Sequence, residues 1–137
     1  MANEVRKKLR TAFVAQASAA ITADAFSSGS ETPLDNTYDG GSENCLGADQ
    51  ARMSINITAA PSSEAVAEIW TAKYDDENSQ YEQYEYALSA VIPVTVTGSY
   101  SAGFIVLDSS LTKAKIKAID YGFTAELIAT PILPEIQ

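Results

Sequence analysis

The sequence feature that most constrains the fold is a series of short segments in which apolar and polar side chains alternate. In "RMSINITA", residues 52–59, Met53, Ile55 and Ile57 are separated by polar residues. A period of two is typical of a β-strand that buries one of its faces. Similar segments follow along the chain, with turn signals about every ten residues. We therefore predict an all-β fold, a β-sandwich of the jelly-roll kind.

Two of these segments carry features that refine the prediction. "EAVAEIWTAKY", residues 64–74, has a start that fits a helix capped by Ser63, but its β-branched and aromatic residues favour a strand. "YALSAVIPVTVTG", residues 86–98, alternates so that one face holds Leu88, Ala90, Ile92, Val94 and Val96. Pro93 lacks an N–H group, so we expect this strand at a sheet edge or at a bulge.

The last three strands differ in their predicted exposure. "AGFIVLD", residues 102–108, is a short apolar run and is predicted to be buried on both faces. "KAKIKAID", residues 113–120, alternates lysine with alanine or isoleucine, and a row of lysines is the usual protection of an exposed strand. "FTAELIATPIL", residues 123–133, completes the series, and Pro131 and Pro134 are expected to end it.

Two segments before residue 50 lack a single clear pattern. Residues 5–21 fit a helix, with apolar residues four apart, and their second part from Phe13 also fits the alternation of a strand; we favour a basic arm that leads into a strand. Residues 24–49 are rich in Gly, Ser, Asp, Asn and Thr and show no periodicity. They predict a long polar loop, and loops of this length are usually functional, disordered or in contact with a partner.

Length and charge suggest how the chain is organised. Its 137 residues suit one domain, and we assign residues 13–137 to the sandwich and residues 1–12 to an extended basic arm. With Glu4, the arm carries +3, which leaves −12 on residues 11–137; its basic residues are Arg6, Lys7, Lys8 and Arg10. The arm is predicted to be disordered in the free monomer and to dock on an acidic neighbouring subunit. The alternative is that it forms the first strand or helix of the fold.

The acidic body limits the partners that the chain can bind. A net charge of −9 repels nucleic-acid phosphates, so we expect no direct nucleic-acid binding. No stretch approaches the ~20 apolar residues of a membrane span, and no membrane contact is expected. The first residues have the outline of a signal peptide, but Gln16 and Ser18 interrupt a weak apolar part, so no secretory signal is expected.

The chain is poorly equipped for catalysis. It has no histidine and one cysteine, Cys45, which excludes Ser-His-Asp and Cys-His sites and an intrachain disulfide. Four carboxylates within or beside strands are candidates for a glycosidase pair, but we expect them to face solvent or to pair with lysines; they are Glu68, Asp108, Asp120 and Glu126. We therefore predict no enzymatic activity and no cofactor.

One segment has part of the spacing of a calcium loop. In "DNTYDGG", Asp35, Thr37 and Asp39 take the first, third and fifth positions. Leu46 stands where the loop requires a bidentate glutamate, so a pair of Asx turns is the preferred interpretation and no metal site is assigned. Cys45 lies in the same polar region, and Cys45→Ser is expected to change stability by about 1 kcal/mol or less.

An acidic, tyrosine-rich segment precedes the strand with Pro93. "YDDENSQYEQYEY", residues 74–86, lacks the ligand spacing of a calcium site. We predict a solvated turn whose tyrosine rings pack on apolar surface and leave their hydroxyl groups in water. Tyr81, Tyr84 and Tyr86 are therefore candidate contacts with a partner.

The second half of the chain resembles small virion proteins of tailed bacteriophages. Residues 51–133, which include "EIWTAKY" and "YGFTAEL", are most similar to the cement, or decoration, proteins of the phage head. The resemblance lies in short strands rich in Ala, Val and Thr, the single cysteine and the lack of histidine, without a diagnostic motif. It implies a jelly-roll-like protein on the capsid exterior that bridges neighbouring major capsid protein subunits, acts as a dimer or trimer, and has no catalytic residues.

Two other functions stay open on the residues alone. One is a structural protein of a phage neck or tail, and formation of rings or tubes by the isolated protein would favour it. The other is an extracellular carbohydrate-binding β-module with Trp70 and the tyrosines as stacking platforms. A sugar-dependent rise in the melting temperature would favour that module.

Overall fold

The computed structural model describes residues 6–36, 44–75, 80–81, 87–107 and 111–135. In these ranges the chain forms nine β-strands and no helix, so the all-β prediction is confirmed. The strands are β1 (Arg6–Leu9), β2 (Phe13–Ile21), β3 (Gln50–Ala59), β4 (Ala65–Asp75), β5 (Gln80–Tyr81), β6 (Ala87–Val94), β7 (Gly98–Val106), β8 (Thr112–Ile119) and β9 (Phe123–Glu135).

The larger of two antiparallel sheets is built around β9. On one side β9 pairs with β3, and β7 lies outside β3. On the other side β1 and β2 follow one another along β9. Residues 5–21 were ambiguous because both periodicities fit. Residues 13–21 form the strand that we favoured, whereas residues 6–9, which we assigned to the arm, form a further strand.

The smaller sheet is built around β4, which pairs with β8 on one side and with β6 on the other. The two-residue strand β5 pairs with the end of β4. Residues 64–74 thus form a strand and not a helix, as their β-branched and aromatic residues indicated. Pro93 lies in β6, which among the described strands pairs with β4 alone, so the predicted edge position is confirmed.

The two sheets enclose one hydrophobic core. Met53, Ile55 and Leu127 of the larger sheet and Ile69 and Ile116 of the smaller sheet are fully or almost fully buried in one cluster. Burial of each such side chain contributes about 1.5–3 kcal/mol. The sheets approach each other at both sides of this core, where β2 lies against β8 and β6 lies against β7.

The segment predicted as a polar loop is packed wherever the structure describes it. Residues 25–34 run along the outer edge of β8, where the Ser27 N–H donates to the Ile116 carbonyl at 2.8 Å. Further along that edge, Leu34 and Thr112 exchange both backbone hydrogen bonds, at 2.7 and 3.1 Å. Because these bonds cover the edge, β8 is not an exposed strand, although its predicted alternation of lysines with buried residues is confirmed.

A second part of this segment closes over one end of the core. The Asp35 N–H donates to Asn44 Oδ1 at 2.8 Å, and Asn44 Nδ2 donates to the Pro33 carbonyl at 2.8 Å. These bonds bring Leu34, Asp35 and Cys45 into fully buried positions. The expectation that Cys45 lies in a loop outside the core was therefore wrong, because polar side chains satisfy the backbone and let the segment pack.

The sequence indicated that Pro131 and Pro134 end the last strand, but β9 continues through both prolines to Glu135. Pro131 pairs with Ala51 of β3, and its carbonyl accepts a hydrogen bond from the Arg10 N–H at 2.9 Å. It therefore faces the gap between β1 and β2. Because neither β1 nor β2 pairs with β9 at this residue, the missing N–H of Pro131 costs the sheet no hydrogen bond.

The prediction that "AGFIVLD" is buried on both faces was also wrong. Its residues 102–106 lie in β7, and among the described strands β7 pairs with β3 alone. Ala102 is buried, but Phe104 and Val106 are exposed. An uninterrupted apolar run normally marks a strand covered on both faces; here it lies at the margin of the sandwich.

Candidate protein-interaction surface

One margin of the sandwich is formed by two strand edges that the described part of the chain leaves uncovered. β6 is the outer strand of the smaller sheet and β7 is the outer strand of the larger sheet. Residues 95–97 join them directly, and the two strands contact each other. We call this margin, residues 87–107, the open side.

The open side contains no charged residue, in a chain of which 20% of the residues are charged. It carries four of the large exposed hydrophobic side chains: Val91 (57% exposed), Val96 (61%), Phe104 (60%) and Val106 (75%). Val91 lies on the outer face of the smaller sheet, Phe104 and Val106 lie on the outer face of the larger sheet, and Val96 lies in the turn between the strands. Single exposed apolar residues are common on protein surfaces, whereas several along one uncharged margin indicate an interaction site.

Uncharged strand edges are unusual because they present unpaired N–H and C=O groups to any other strand. Natural proteins protect such edges with lysine, proline, bulges or covering segments. β6 has Pro93 and a bulge between its pairs with Ile69 and Trp70, and β7 has a bulge opposite Met53, but neither strand carries a charge. The opposite margin shows the contrast, because residues 25–34 cover the edge of β8 there.

Local contacts hold the connection between β6 and β7. The Tyr100 hydroxyl donates to the Val96 carbonyl at 2.7 Å, which fixes the turn against the start of β7. Gly98 has φ of 138°, a conformation that residues with a Cβ atom rarely adopt. The exposed Val96 therefore lies in a turn held by hydrogen bonds, after the end of β6, although the alternation had placed it within that strand on the same face as Ile92 and Val94.

An aromatic and basic cluster lies on the outer face of the smaller sheet. Phe26 and Trp70 meet edge to face, with ring centroids 5.9 Å apart, and the Lys115 and Lys117 Nζ atoms lie 4.2 and 5.2 Å from the Phe26 centroid. Trp70 Nε1 donates to Glu68 Oε1 at 3.1 Å. Burial lowers the pKa of Lys115. These contacts hold residues 25–27 on β8, so the Trp70 ring is engaged within its own chain.

Several hydrogen-bonded polar groups lie around the one cysteine, Cys45. Arg10 Nη1 donates to the Leu46 carbonyl at 2.7 Å, and the Cys45 N–H donates to the Asp35 carbonyl at 2.8 Å. Burial raises the pKa of the Cys45 thiol to about 11, against weaker opposing effects of an Asp35 backbone hydrogen bond and the Arg10 charge. Cys45 is thus a neutral thiol at physiological pH and a poor nucleophile.

The predicted partner contacts are distributed over separate places. Arg6, Lys7 and Lys8 lie in β1, paired with residues 133–135 of β9, while Arg10 binds Leu46 of its own chain. This pairing favours the alternative in which the segment is the first strand of the fold; docking of an arm on a neighbour stays a prediction. Tyr81 lies in β5, and Tyr84 and Tyr86 lie outside the described residues.

The carboxylates considered for catalysis do not form a described pair. Glu68 accepts from Trp70 on the smaller sheet, while Glu126 accepts from Asn56 Nδ2 on the larger sheet at 3.2 Å. Both alternate with core residues and therefore point to opposite outer surfaces. Asp120 lies in the turn after β8, and Asp108 lies outside the described residues.

Within the described ranges, no group of three or more Cys, Asp or Glu side chains could hold a metal ion. Asp35 is buried, and Thr37 and Asp39 lie outside these ranges. The described residues also include no helix long and apolar enough to cross a membrane. Comparison with protein-family models and with curated protein sequences finds no match to this chain.

The open side is not evident from the sequence, because uninterrupted apolar runs predict buried strands. The available signal was the uninterrupted lack of charge from residue 87 to 107. Alternation shows which face of a strand is apolar, but it does not show whether a neighbouring strand or a partner covers it.

Proposed function

We propose that this chain is a non-enzymatic structural protein that assembles with other protein subunits through its open side. The observation that carries the proposal is the pair of adjacent, uncharged strand edges with four exposed apolar side chains. Isolated edges of this kind promote strand addition, in which backbone hydrogen bonds supply affinity and side chains supply specificity.

We propose that one of these partner subunits is a second copy of the chain. Two copies, each with a net charge of −9, repel one another wherever their acidic surfaces face each other. This repulsion opposes close contact. The open side is a surface on which two copies can meet without bringing like charges together. It also offers unpaired backbone groups of the same kind on both copies, as a symmetric dimer interface requires.

The strand order supports the finer description of the fold as a jelly roll. The larger sheet includes the order β2-β9-β3-β7, and the smaller has β8-β4-β6 with residues 25–34 along the edge of β8. The chain crosses between sheets at most of its connections, which is the pattern of interleaved Greek keys. Jelly rolls occur in viral capsid and lectin domains.

Among structural roles, we propose decoration of a phage capsid, on its exterior, where the protein bridges major capsid protein subunits. The support is the resemblance of residues 51–133 to phage decoration proteins, together with the jelly-roll strand order. The Trp70 ring, which a sugar-binding module would use for stacking, is instead packed against Phe26 and bonded to Glu68. No specific contact favours a second function.

Co-sedimentation tests this role directly. Purified protein is mixed with expanded capsid shells that lack their decoration protein, and with matched shells that are already decorated. We expect saturable binding to the first and little to the second, because decorated shells have their sites filled. Failure to sediment with undecorated shells at any salt concentration would refute the capsid role.

A further inference from the structure

A small recess lies on the outer face of the larger sheet, next to the open side. It has a volume of about 270 Å³ and is lined by Arg52, Met53, Ser54, Ser99 and Ser101. The polar side chains among the lining residues are those of one arginine and three serines. All of these are hydrogen-bond donors, and the guanidinium group carries a permanent positive charge.

A β-bulge produces this recess. Arg52 pairs with Phe104 and Ser54 pairs with Ser101, so β7 has one more residue than β3 between these two pairs. Gly103 lies in the extra stretch with φ of 75°, where a side chain would be strained. Bulges twist a strand and redirect its side chains, and they are common next to functional sites.

Among the described residues, the nearest neighbours of Arg52 within the sheet are uncharged. Its cross-strand neighbours are Phe104 and Thr130, and its neighbours two residues away on the same face are Gln50 and Ser54. Arg52 is exposed. In a chain with 18 acidic and nine basic residues, a cation surrounded by uncharged neighbours is unusual.

We propose that the Arg52 recess binds a carboxylate group of a second copy of the chain, and so sets the register in which the two copies meet at β7. This inference rests on the proposed function, because it names the chemistry by which the same margin selects its partner. The guanidinium fork matches a carboxylate in two parallel hydrogen bonds. The serine hydroxyl groups supply further donors at the wall of the recess.

Size and charge favour this ligand. A volume of about 270 Å³ accommodates a side-chain carboxylate and is smaller than a typical site for a drug-sized ligand. The open side itself holds no carboxylate, so the group must come from another part of the second copy, in which 18 acidic residues outnumber nine basic ones. The exposed Phe104 and Val106 beside Arg52 supply apolar contact around the ion pair, which excludes water and strengthens it.

The first test measures self-association by sedimentation velocity over a concentration series. We compare the wild type with Arg52→Gln, Arg52→Lys and the control Lys73→Gln, which removes an exposed positive charge from the other sheet. We expect Arg52→Gln to raise the dissociation constant about ten-fold, as for loss of a charge-assisted pair. The dissociation constant of Arg52→Lys should lie between those of the wild type and Arg52→Gln, because lysine keeps the charge but lacks the two parallel donors of the guanidinium group.

The second test uses sodium acetate as the probe, with protein dilute enough to be monomeric and sodium chloride matching the ionic strength. We follow the backbone amide signals by NMR. We expect saturable shifts for Ser54, Ser99 and Ser101 that disappear in Arg52→Gln and persist in Lys73→Gln. Shifts without saturation, or saturation that survives Arg52→Gln, would overturn the carboxylate site. Binding of inorganic phosphate more than about ten-fold tighter than acetate would show a free oxyanion as the source and also overturn it.

The two tests separate this inference from the proposed function. Loss of self-association in Val106→Lys, without loss in Arg52→Gln and without acetate binding, would refute the recess and leave assembly through the open side standing. Acetate binding that depends on Arg52, in a protein that stays monomeric at every concentration, would refute the second copy as the source of the carboxylate.

Discussion

Cys45 shows how a residue in a polar stretch of sequence becomes part of the core. The residues around it are Gly, Ser, Asp and Asn, which predict a loop. In the structure, Asn44 bonds to two neighbouring backbone groups, and Cys45 is fully buried beside Leu34. Composition describes the average preference of a segment, whereas specific side-chain to backbone bonds decide whether it can be buried.

The burial changes the expected cost of replacing Cys45. Cys45→Ser places a more polar hydroxyl group in a buried site and should lower the free energy of unfolding by about 2 kcal/mol. Cys45→Ala leaves a small cavity and should cost about 1 kcal/mol. Urea unfolding at neutral pH measures both, with the exposed Ser62→Ala as control. A loss in Cys45→Ser no larger than in the control would place Cys45 outside the core.

The raised pKa of Cys45 also predicts a pH dependence of stability. The folded protein keeps the thiol proton up to about pH 11, whereas the unfolded chain releases it near pH 9. The stabilising contribution is therefore complete below pH 9 and is lost as pH rises to 11, by at most about 3 kcal/mol. The difference in unfolding free energy between wild type and Cys45→Ala should narrow from pH 8 to 10.5. An unchanged difference would refute the buried thiol.

At the scale of elements, the sequence predicted those strands best in which apolar and polar residues alternate and the apolar residues pack in the core. β3 and β8 alternate strictly, and their apolar residues are in the core as expected. β2 alternates less regularly because of a bulge near Gln16, which buries two successive residues, Ala15 and Gln16. Sequence periodicity cannot locate such a bulge, since it depends on pairing with β9.

Gln16 links the two sheets on the covered margin of the sandwich. Its Oε1 accepts from the Ile116 N–H at 2.8 Å, and its Nε2 donates to the Gly29 carbonyl at 3.3 Å. Gln16→Ala leaves two backbone groups without a partner in a buried place and should cost about 2–3 kcal/mol. Asn56→Ala, on the outer face of β3, is the control and should cost less than about 1 kcal/mol. Equal losses in thermal or urea unfolding would contradict the role of Gln16.

At the scale of the whole molecule, the two margins of the sandwich differ in what completes them. The β2/β8 margin is completed by residues 25–34 and Gln16 of the same chain. The β6/β7 margin shows exposed apolar residues without charge. The class of fold was predictable from local patterns, but the difference between the margins was not, because it depends on which strands become neighbours. The account therefore centres on assembly through β6 and β7.

Self-association of the purified chain tests this central claim most directly. Sedimentation velocity over a concentration series compares the wild type with Val106→Lys, on β7, and with Val14→Lys, the same substitution at an exposed valine of β2. We expect the wild type to dimerise and Val106→Lys to weaken the dimer at least ten-fold, because a buried valine contributes about 1.5–3 kcal/mol. Val14→Lys should leave it unchanged. A wild type that stays monomeric, or equal effects of the two substitutions, would contradict assembly through the open side.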